Sequence, residues 1–188
     1  MSRVGYLPIE IPSNVKLSIV DSDVEVEGPK GKLSWTLPDG IRLNLAENVA
    51  TLERPNDLRQ YKSLHGLSRS LVANMVAGVS VGFEKRLRVV GNGYRAEINR
   101  QQELVLNVGY SHAVTFNPPE GIEISVEAPE NVDGQPHIPI VVSGIDKQLV
   151  GEVSATIRQI KKPEDYKPSK GIRYEGERVR MREGKARV

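Results

Sequence analysis

The 188-residue chain has no cysteine, which excludes a disulfide framework and any thiolate metal site. Aromatic residues make up only 5% of it, with Trp35 alone among tryptophans, although 38% apolar residues are enough for ordinary cores. Long hydrophobic runs are missing too: the longest apolar-leaning stretch, Leu71 to Phe83, is broken by Asn74 and Ser80 and falls short of a bilayer span. Met1-Ser2-Arg3-Val4-Gly5 lacks the apolar core and small-residue cleavage site of a signal peptide, and no Asn-X-Ser/Thr acceptor occurs. A cytosolic, membrane-free home is the expectation. His65, His112 and His137 lie far apart, and none has a second ligand at metal-binding spacing. There is no Gly-X-Ser-X-Gly elbow, and no acid, base and nucleophile can be assembled from the motifs present. No catalytic activity, cofactor or small-molecule substrate is expected.

What the chain does have is charge of unequal distribution. From Arg158 onward, 31 residues carry 11 Lys and Arg against 5 Asp and Glu, a net +6, while the preceding 157 carry 15 against 19, a net −4. A mildly acidic body leaves such a segment available to an external polyanion. The stretch Lys161 to Val188 holds few apolar residues and is interrupted by Pro163, Pro168, Gly171, Gly176 and Gly184, so it is expected to stay out of the core. Within it, Arg178, Arg180 and Arg182 alternate, and in an extended strand three guanidinium groups would point the same way about 6–7 Å apart, a ladder suited to successive phosphates. Tyr166 and Tyr174 offer flat faces for unpaired bases or riboses. A disordered, merely solubilising terminus would show similar charge; the embedded tyrosines and glycines favour an ordered, RNA-bound segment.

The remainder reads as a repeat. Apolar residues alternate through Val15, Leu17 and Ile19, Val24 and Val26, Leu33, Trp35 and Leu37, and Ile41, Leu43 and Leu45, with turn residues between, and a further strand covers Val49 to Glu53. The pattern predicts an antiparallel sheet with one buried face. Leu58, Tyr61, Leu64, Leu67, Leu71 and Met75 then fall at helical steps, with Asn56 or Asp57 as cap and Gly78 as stop. Strand-like runs recur from Leu87 to Val142, and a helix capped by Asp146 follows with Leu149, Val153, Ile157 and Ile160 inward. Pro38-Asp39-Gly40-Ile41 reappears 81 positions later as Pro119-Glu120-Gly121-Ile122, whereas the helix caps are 89 apart. The difference predicts an insertion in the second copy, at Glu130 to Pro136. Independent use of a common turn would also produce the match. The predicted fold is α+β: two tandem homologous domains, residues 1–81 and 82–160, each an antiparallel sheet packed by one main helix, followed by a basic tail at residues 161–188.

Other motifs have plainer readings. Gly28-Pro29-Lys30-Gly31-Lys32 lacks the spacing and the hydroxyl residue of a phosphate loop and reads as a hairpin turn. Gly91-Asn92-Gly93 reads as a turn needing positive φ, and Asp21, Asp23, Glu25 and Glu27 as one solvated strand face. Arg59, Lys62 and Arg69 form either a solvated helix face or a second RNA contact.

Taken together, Asn74-Met75-Val76-Ala77-Gly78-Val79 with Gly82-Phe83, Val90-Gly91-Asn92-Gly93-Tyr94-Arg95-Ala96, Gly144-Ile145-Asp146-Lys147-Gln148, and Tyr166-Lys167 with Lys170-Gly171-Ile172-Arg173-Tyr174 make the chain similar to bacterial ribosomal protein six of the large subunit. The resemblance spans nearly the whole chain. It implies a structural protein bound to large-subunit ribosomal RNA near the sarcin–ricin loop and the stalk base, beside the place where translational GTPases act and next to other ribosomal proteins. By position, the implied RNA contacts are Lys161, Lys162, Tyr166, Lys167, Lys170, Gly171, Arg173 and Tyr174, with Arg178, Arg180, Arg182 and Lys185 behind them. Two features depart from the family: Pro168-Ser169 separates Lys167 from Lys170 where Tyr-Lys-Gly-Lys-Gly is common, and Tyr6-Leu7 replaces a lysine pair. The rival reading is a protein-interaction module that recruits an acidic partner.

Overall fold

The computed structural model describes residues 4–132, 134–166, 169–180 and 182. Lys167 and Lys185, two of the expected contacts, lie outside the described residues. The chain forms two compact units, one running to Phe83 with Ile145–Lys147, the other made of Glu84–Gly144 and the chain from Gln148 on.

In the first unit a 3-10 turn at Val4–Tyr6 precedes β1 (Ile9–Glu10), β2 (Lys16–Val20), β3 (Asp23–Gly28), β4 (Gly31–Thr36), β5 (Arg42–Ala46), β6 (Val49–Glu53) and the helix α1 (Arg59–Ser80). The strands are antiparallel, as the alternation predicts, but they divide between two sheets ordered β1-β6-β5 and β2-β3-β4. Alternation places Val24 and Val26 of β3 fully inside, and Asp23 and Glu27 outside. The core joins these valines to Ile9, Leu17, Leu43, Ala50 and Leu52 from the other strands and to Val72, Met75, Val76 and Val79 of α1.

The buried face of α1 differs from the expected leucine stripe. His65, Ser68, Val72, Met75, Val76, Gly78 and Val79 are buried, whereas Leu58 and Leu67 are 62% and 51% exposed. Small and β-branched residues occupy the tightest part of the packing, and Leu64 and Leu71 flank it half-buried. Nor does Gly78 stop the helix: a Cβ there would stand 2.0 Å from the Ile145 carbonyl oxygen, so the glycine permits a close backbone approach. The helix ends at Ser80: the N–H groups of Val81 and Gly82 both donate to Ala77 O, at 2.9 and 3.1 Å, and Gly82 then turns the chain with a φ of +84°. At the other end neither expected cap serves. Leu58 holds the cap position without a side-chain bond; Asn56 Oδ1 instead accepts from the Leu58 N–H at 3.1 Å, and Asp57 pairs with Arg54 and Lys62.

The second unit contains β7 (Phe83–Val90), β8 (Arg95–Ile98), β9 (Leu104–Asn107), β10 (Val114–Phe116), β11 (Ile122–Val126), β12 (Glu130–Val132), β13 (Gln135–Gly144), the helix α2 (Lys147–Ile160) and β14 (Gly171–Tyr174). One sheet is ordered β10-β9-β8; the other runs β11-β13-β7-β14, with β12 on β13. Six consecutive buried residues in β13, His137 to Val142, mark a strand covered on both faces. α2 turns Val150, Val153, Ser154 and Ile157 inward, with Leu149 and Ile160 at the margin.

β14 corrects the expectation that residues 161–188 stay out of the core. It pairs antiparallel with β7, Gly171 opposite Val90 and Tyr174 opposite Leu87, and its Ile172 is fully buried. One isoleucine between a glycine and an arginine is too little for a periodicity signal, but it suffices to fill a position on an existing sheet edge.

The repeat is retained, and the expected insertion is present. The Pro38 and Pro119 turns close alike: Ile41 N–H donates to Pro38 O at 3.1 Å with Gly40 at φ +84°, and Ile122 N–H to Pro119 O at 3.2 Å with Gly121 at φ +82°. The helices end 80 positions apart yet start 88 apart, because α1 runs 22 residues and α2 14. β5 and β6 are joined by a tight turn, Ala46 pairing with Val49, whereas β11 and β13 are joined by a long connection, Val126 pairing with Ile140. The added chain lies in that connection, where Glu130–Val132 folds back onto β13, and the shorter α2 offsets it by the helix end.

Candidate nucleic-acid interface

Proline and glycine at fixed points steer the segment after α2. Pro163 follows the helix end, and the chain then doubles back: Glu164 N–H donates to Lys170 O at 2.9 Å and Ile172 N–H to Lys161 O at 2.7 Å. Ser169 is buried and donates its hydroxyl to Glu164 O at 2.8 Å. Gly171 stands at φ +134°, where a Cβ would meet Lys162 O at 2.6 Å and Pro163 Cα at 2.7 Å. Gly171 is thus buried and close-packed against the backbone of Lys162 and Pro163.

Beyond β14 the chain is clamped by a carboxylate. Glu177 accepts from Arg158 Nε at 2.9 Å and from the Tyr174 N–H at 2.9 Å, and its other oxygen accepts from Arg158 Nη2 at 2.5 Å. The Arg158 guanidinium holds the Glu177 carboxyl below the usual carboxylate range, against the opposing effect of burial, and Glu177 in turn raises the guanidinium. Arg182 is fixed similarly: its side chain pairs with Asp165 at 3.0 Å and its N–H donates to Asp165 O at 2.8 Å.

These contacts sort the expected residues. Lys162 and Tyr166 are exposed, and Lys161 and Lys170 are half-buried, the Lys161 ammonium lying 5.1 Å from the centre of the Tyr110 ring. Arg173 is half-buried, with Nη2 3.4 Å from His137 Nε2. Tyr174 is half-buried rather than open, its ring engaged by Lys85 at 4.7 Å and Arg158 at 5.6 Å. Arg178 and Arg180 are exposed, with Val179 half-buried between them, and neither makes an ion pair among the described residues. Of the alternating ladder, two rungs are therefore open and the third is tied to Asp165.

The residues beside this segment that the sequence did not single out are on β7 and in the turn before β10. Arg88 binds Glu175 at 2.7 Å and Glu130 at 3.4 Å, and Arg86 binds Glu84 at 2.6 Å. Alternating charges along Phe83–Val90 were the available signal, but nothing in the sequence placed Glu175 beside them. The proposed secondary surface on α1 is largely committed to the fold. Arg69 donates to the carbonyls of Leu7 and Pro8 at 3.1 and 3.0 Å, and Lys62 pairs with Asp57, leaving Arg59 exposed. His65 is a satisfied core histidine, bonded to Leu52 O at 2.9 Å and Arg54 at 3.1 Å. Among the described residues no three His, Asp or Glu side chains are grouped to hold a metal, and no helix is long and apolar enough to cross a membrane.

Fold and site together define a two-unit α+β protein that lays a cationic segment along the edge of its second unit's larger sheet and fixes it with its own carboxylates. Comparison with known proteins resolves the class further. The model of the family described as ribosomal protein L6 matches twice, over residues 11–82 and 90–175. The chain is 50% identical over 186 residues to "Large ribosomal subunit protein uL6" of Syntrophomonas wolfei, covering 99% of this chain and 98% of that one. Proteins of the same name from Natranaerobius thermophilus and Nostoc punctiforme are 51% and 49% identical over 185 residues, covering 98% of this chain and 98% and 96% of theirs. The chain belongs to the ribosomal protein L6 family.

Proposed function

We propose that this protein is a non-catalytic structural constituent of the large ribosomal subunit in the cytoplasm, and that it binds large-subunit ribosomal RNA through the basic segment at residues 161–188. Similarity at about half of all positions over nearly the full length of proteins named for that subunit carries the reading. The two duplicated α+β domains, residues 1–81 and 82–160, serve as the scaffold. Arg178 and Arg180 are the primary phosphate ligands, since they are exposed and unpaired among the described residues. Lys161, Lys162, Tyr166, Lys167, Lys170, Arg173, Tyr174, Arg182 and Lys185 complete the surface, with Tyr174 and Arg182 exchanging internal partners for RNA. The finer placement, near the sarcin–ricin loop and among ribosomal proteins of the stalk base where GTPases act, rests on the family resemblance alone.

Truncation is the wrong test, because removing Lys161–Val188 would strip Ile172 from the core and lose binding by unfolding. Replacing Arg178 and Arg180 together by Ala leaves every described hydrogen bond in place. Binding to a large-subunit rRNA transcript should weaken, and the slope of log affinity against log salt should fall by about 2. Unchanged affinity and slope in the folded double variant would remove the tail from the interface.

A further inference from the structure

The repeat brings two turns into correspondence that have evolved different side chains. In the first unit Gly28-Pro29-Lys30-Gly31 joins β3 to β4, and 81 positions later Gly109-Tyr110-Ser111-His112 lies between β9 and β10. Both turns are anchored to the same point of their helix. Lys30 donates its N–H to Val79 O at 3.0 Å near the end of α1, and Tyr110 donates its hydroxyl to Ile160 O at 2.7 Å at the end of α2, again 81 positions on. The first turn holds itself there with backbone and glycine, since a Cβ on Gly28 would strike Val79 O at 2.7 Å. The second uses a tyrosine hydroxyl for that purpose and leaves the ring 48% exposed.

The exposed ring does not stand alone. His112 stacks beside it, centroids 6.5 Å apart and planes 25° from parallel, and Lys161 brings a positive charge to 5.1 Å from the Tyr110 centroid. The turn from Gly109 to Ala113 is exposed throughout, so neither ring is needed to fill a core. Gly109, at φ +82°, is backed by the Tyr94 hydroxyl 3.2 Å from where a Cβ would be, which supports the turn from beneath. A chain with so few aromatics has placed two aromatic rings on one solvent-facing turn, next to a cation. That combination is suited to stacking on an unpaired base, with the ammonium meeting the adjoining phosphate.

We propose that the Gly109–His112 turn is a second RNA-binding element, distinct from the arginine-bearing tail, in which the Tyr110–His112 pair receives an unpaired base and Lys161 its flanking phosphate. The proposal rests on the RNA-binding reading above, and its failure can be told apart from failure of that reading. Stacking contributes affinity that salt does not screen, whereas phosphate contacts set the salt slope.

The test uses the full chain and a large-subunit rRNA transcript, titrated over a range of salt. Tyr110→Leu with His112→Ala should weaken binding about 10- to 100-fold at every salt concentration and leave the slope unchanged, while Lys161→Ala should lower the slope by about 1. Tyr110→Phe, which loses the bond to Ile160 O but keeps the ring, should bind within about twofold of the parent. His112→Ala alone, at an exposed position, keeps the test valid if the double variant proves unstable. Parental affinity in the aromatic variants, with Arg178→Ala/Arg180→Ala still defective, overturns the turn and leaves the tail reading intact. Unchanged RNA binding with impaired entry into particles also overturns it, since the turn would then dock a protein. A loss confined to the salt slope overturns it as well.

Discussion

Individual glycines show how differently the same residue type is used in this chain. At Gly171 both a left-handed φ of +134° and backbone atoms 2.6 Å from any Cβ forbid a side chain, so Gly171→Ala should destabilise the protein by roughly 2 kcal/mol or more in urea unfolding. Gly66 and Gly151 lie inside α1 and α2 with nothing within 4 Å of a Cβ, and Ala at either should stabilise by about 0.5–1 kcal/mol in the same assay. Of the three, the sequence pattern marks Gly171 as an interruption and runs straight through the other two. The cations divide in the same way. The charge of residues 158–188 was legible by counting, but which charges remain available was not, because Glu177 and Asp165 sit among them and only coordinates show that these carboxylates take Arg158 and Arg182 while leaving Arg178 and Arg180. His65 gave no such signal: that it lies in the core, with Leu52 and Arg54 as partners, is visible only in the fold.

Strands and turns in this protein announce themselves, whereas a helix's inner face and a lone edge strand do not. Period-two alternation located the strands of the first unit closely, and Pro-acidic-Gly located both turns, because each signal is local. α1 carries two apolar stripes, and the sequence favours the leucine-rich one; the sheets instead accept the smaller residues that permit close approach. β14 depends on a partner eighty residues away and on one buried side chain, so no local pattern marks it. Its attachment should respond to acid. Glu177 has a lowered value in the folded protein, so the Arg158 clamp contributes fully above the ordinary carboxylate range and is lost as the pH falls through the lowered value. Amide exchange of Ile172 and Tyr174 should therefore accelerate relative to β13 as the pH falls below the ordinary carboxylate range. Glu177→Gln should show the faster exchange already at neutral pH, at a stability cost of about 1 kcal/mol. Equal exchange in variant and parent would mean that the strand, not the clamp, holds the segment.

For the molecule as a whole, charge segregation and duplication were both visible before any coordinates, whereas the resemblance to the family rested on particular motifs such as Val90–Ala96 and Lys170–Tyr174. The insertion inferred from unequal cap spacing lies where the sequence placed it, between β11 and β13, and the shorter α2 restores the original spacing by the helix end. If four to six phosphates are engaged, affinity for rRNA should fall by roughly two to three powers of ten between 50 and 200 mM salt. A flat titration would contradict phosphate binding altogether.

The pairing of Gly171 with Val90 also sets a timetable for biosynthesis. β7 is translated 81 residues ahead of the strand that covers its side, so the nascent second unit carries an open sheet edge through nearly half the time of its manufacture. Until that four-residue strand arrives, the edge is a ready template for aggregation, so the last part of the chain to be made is also the part that closes the sheet.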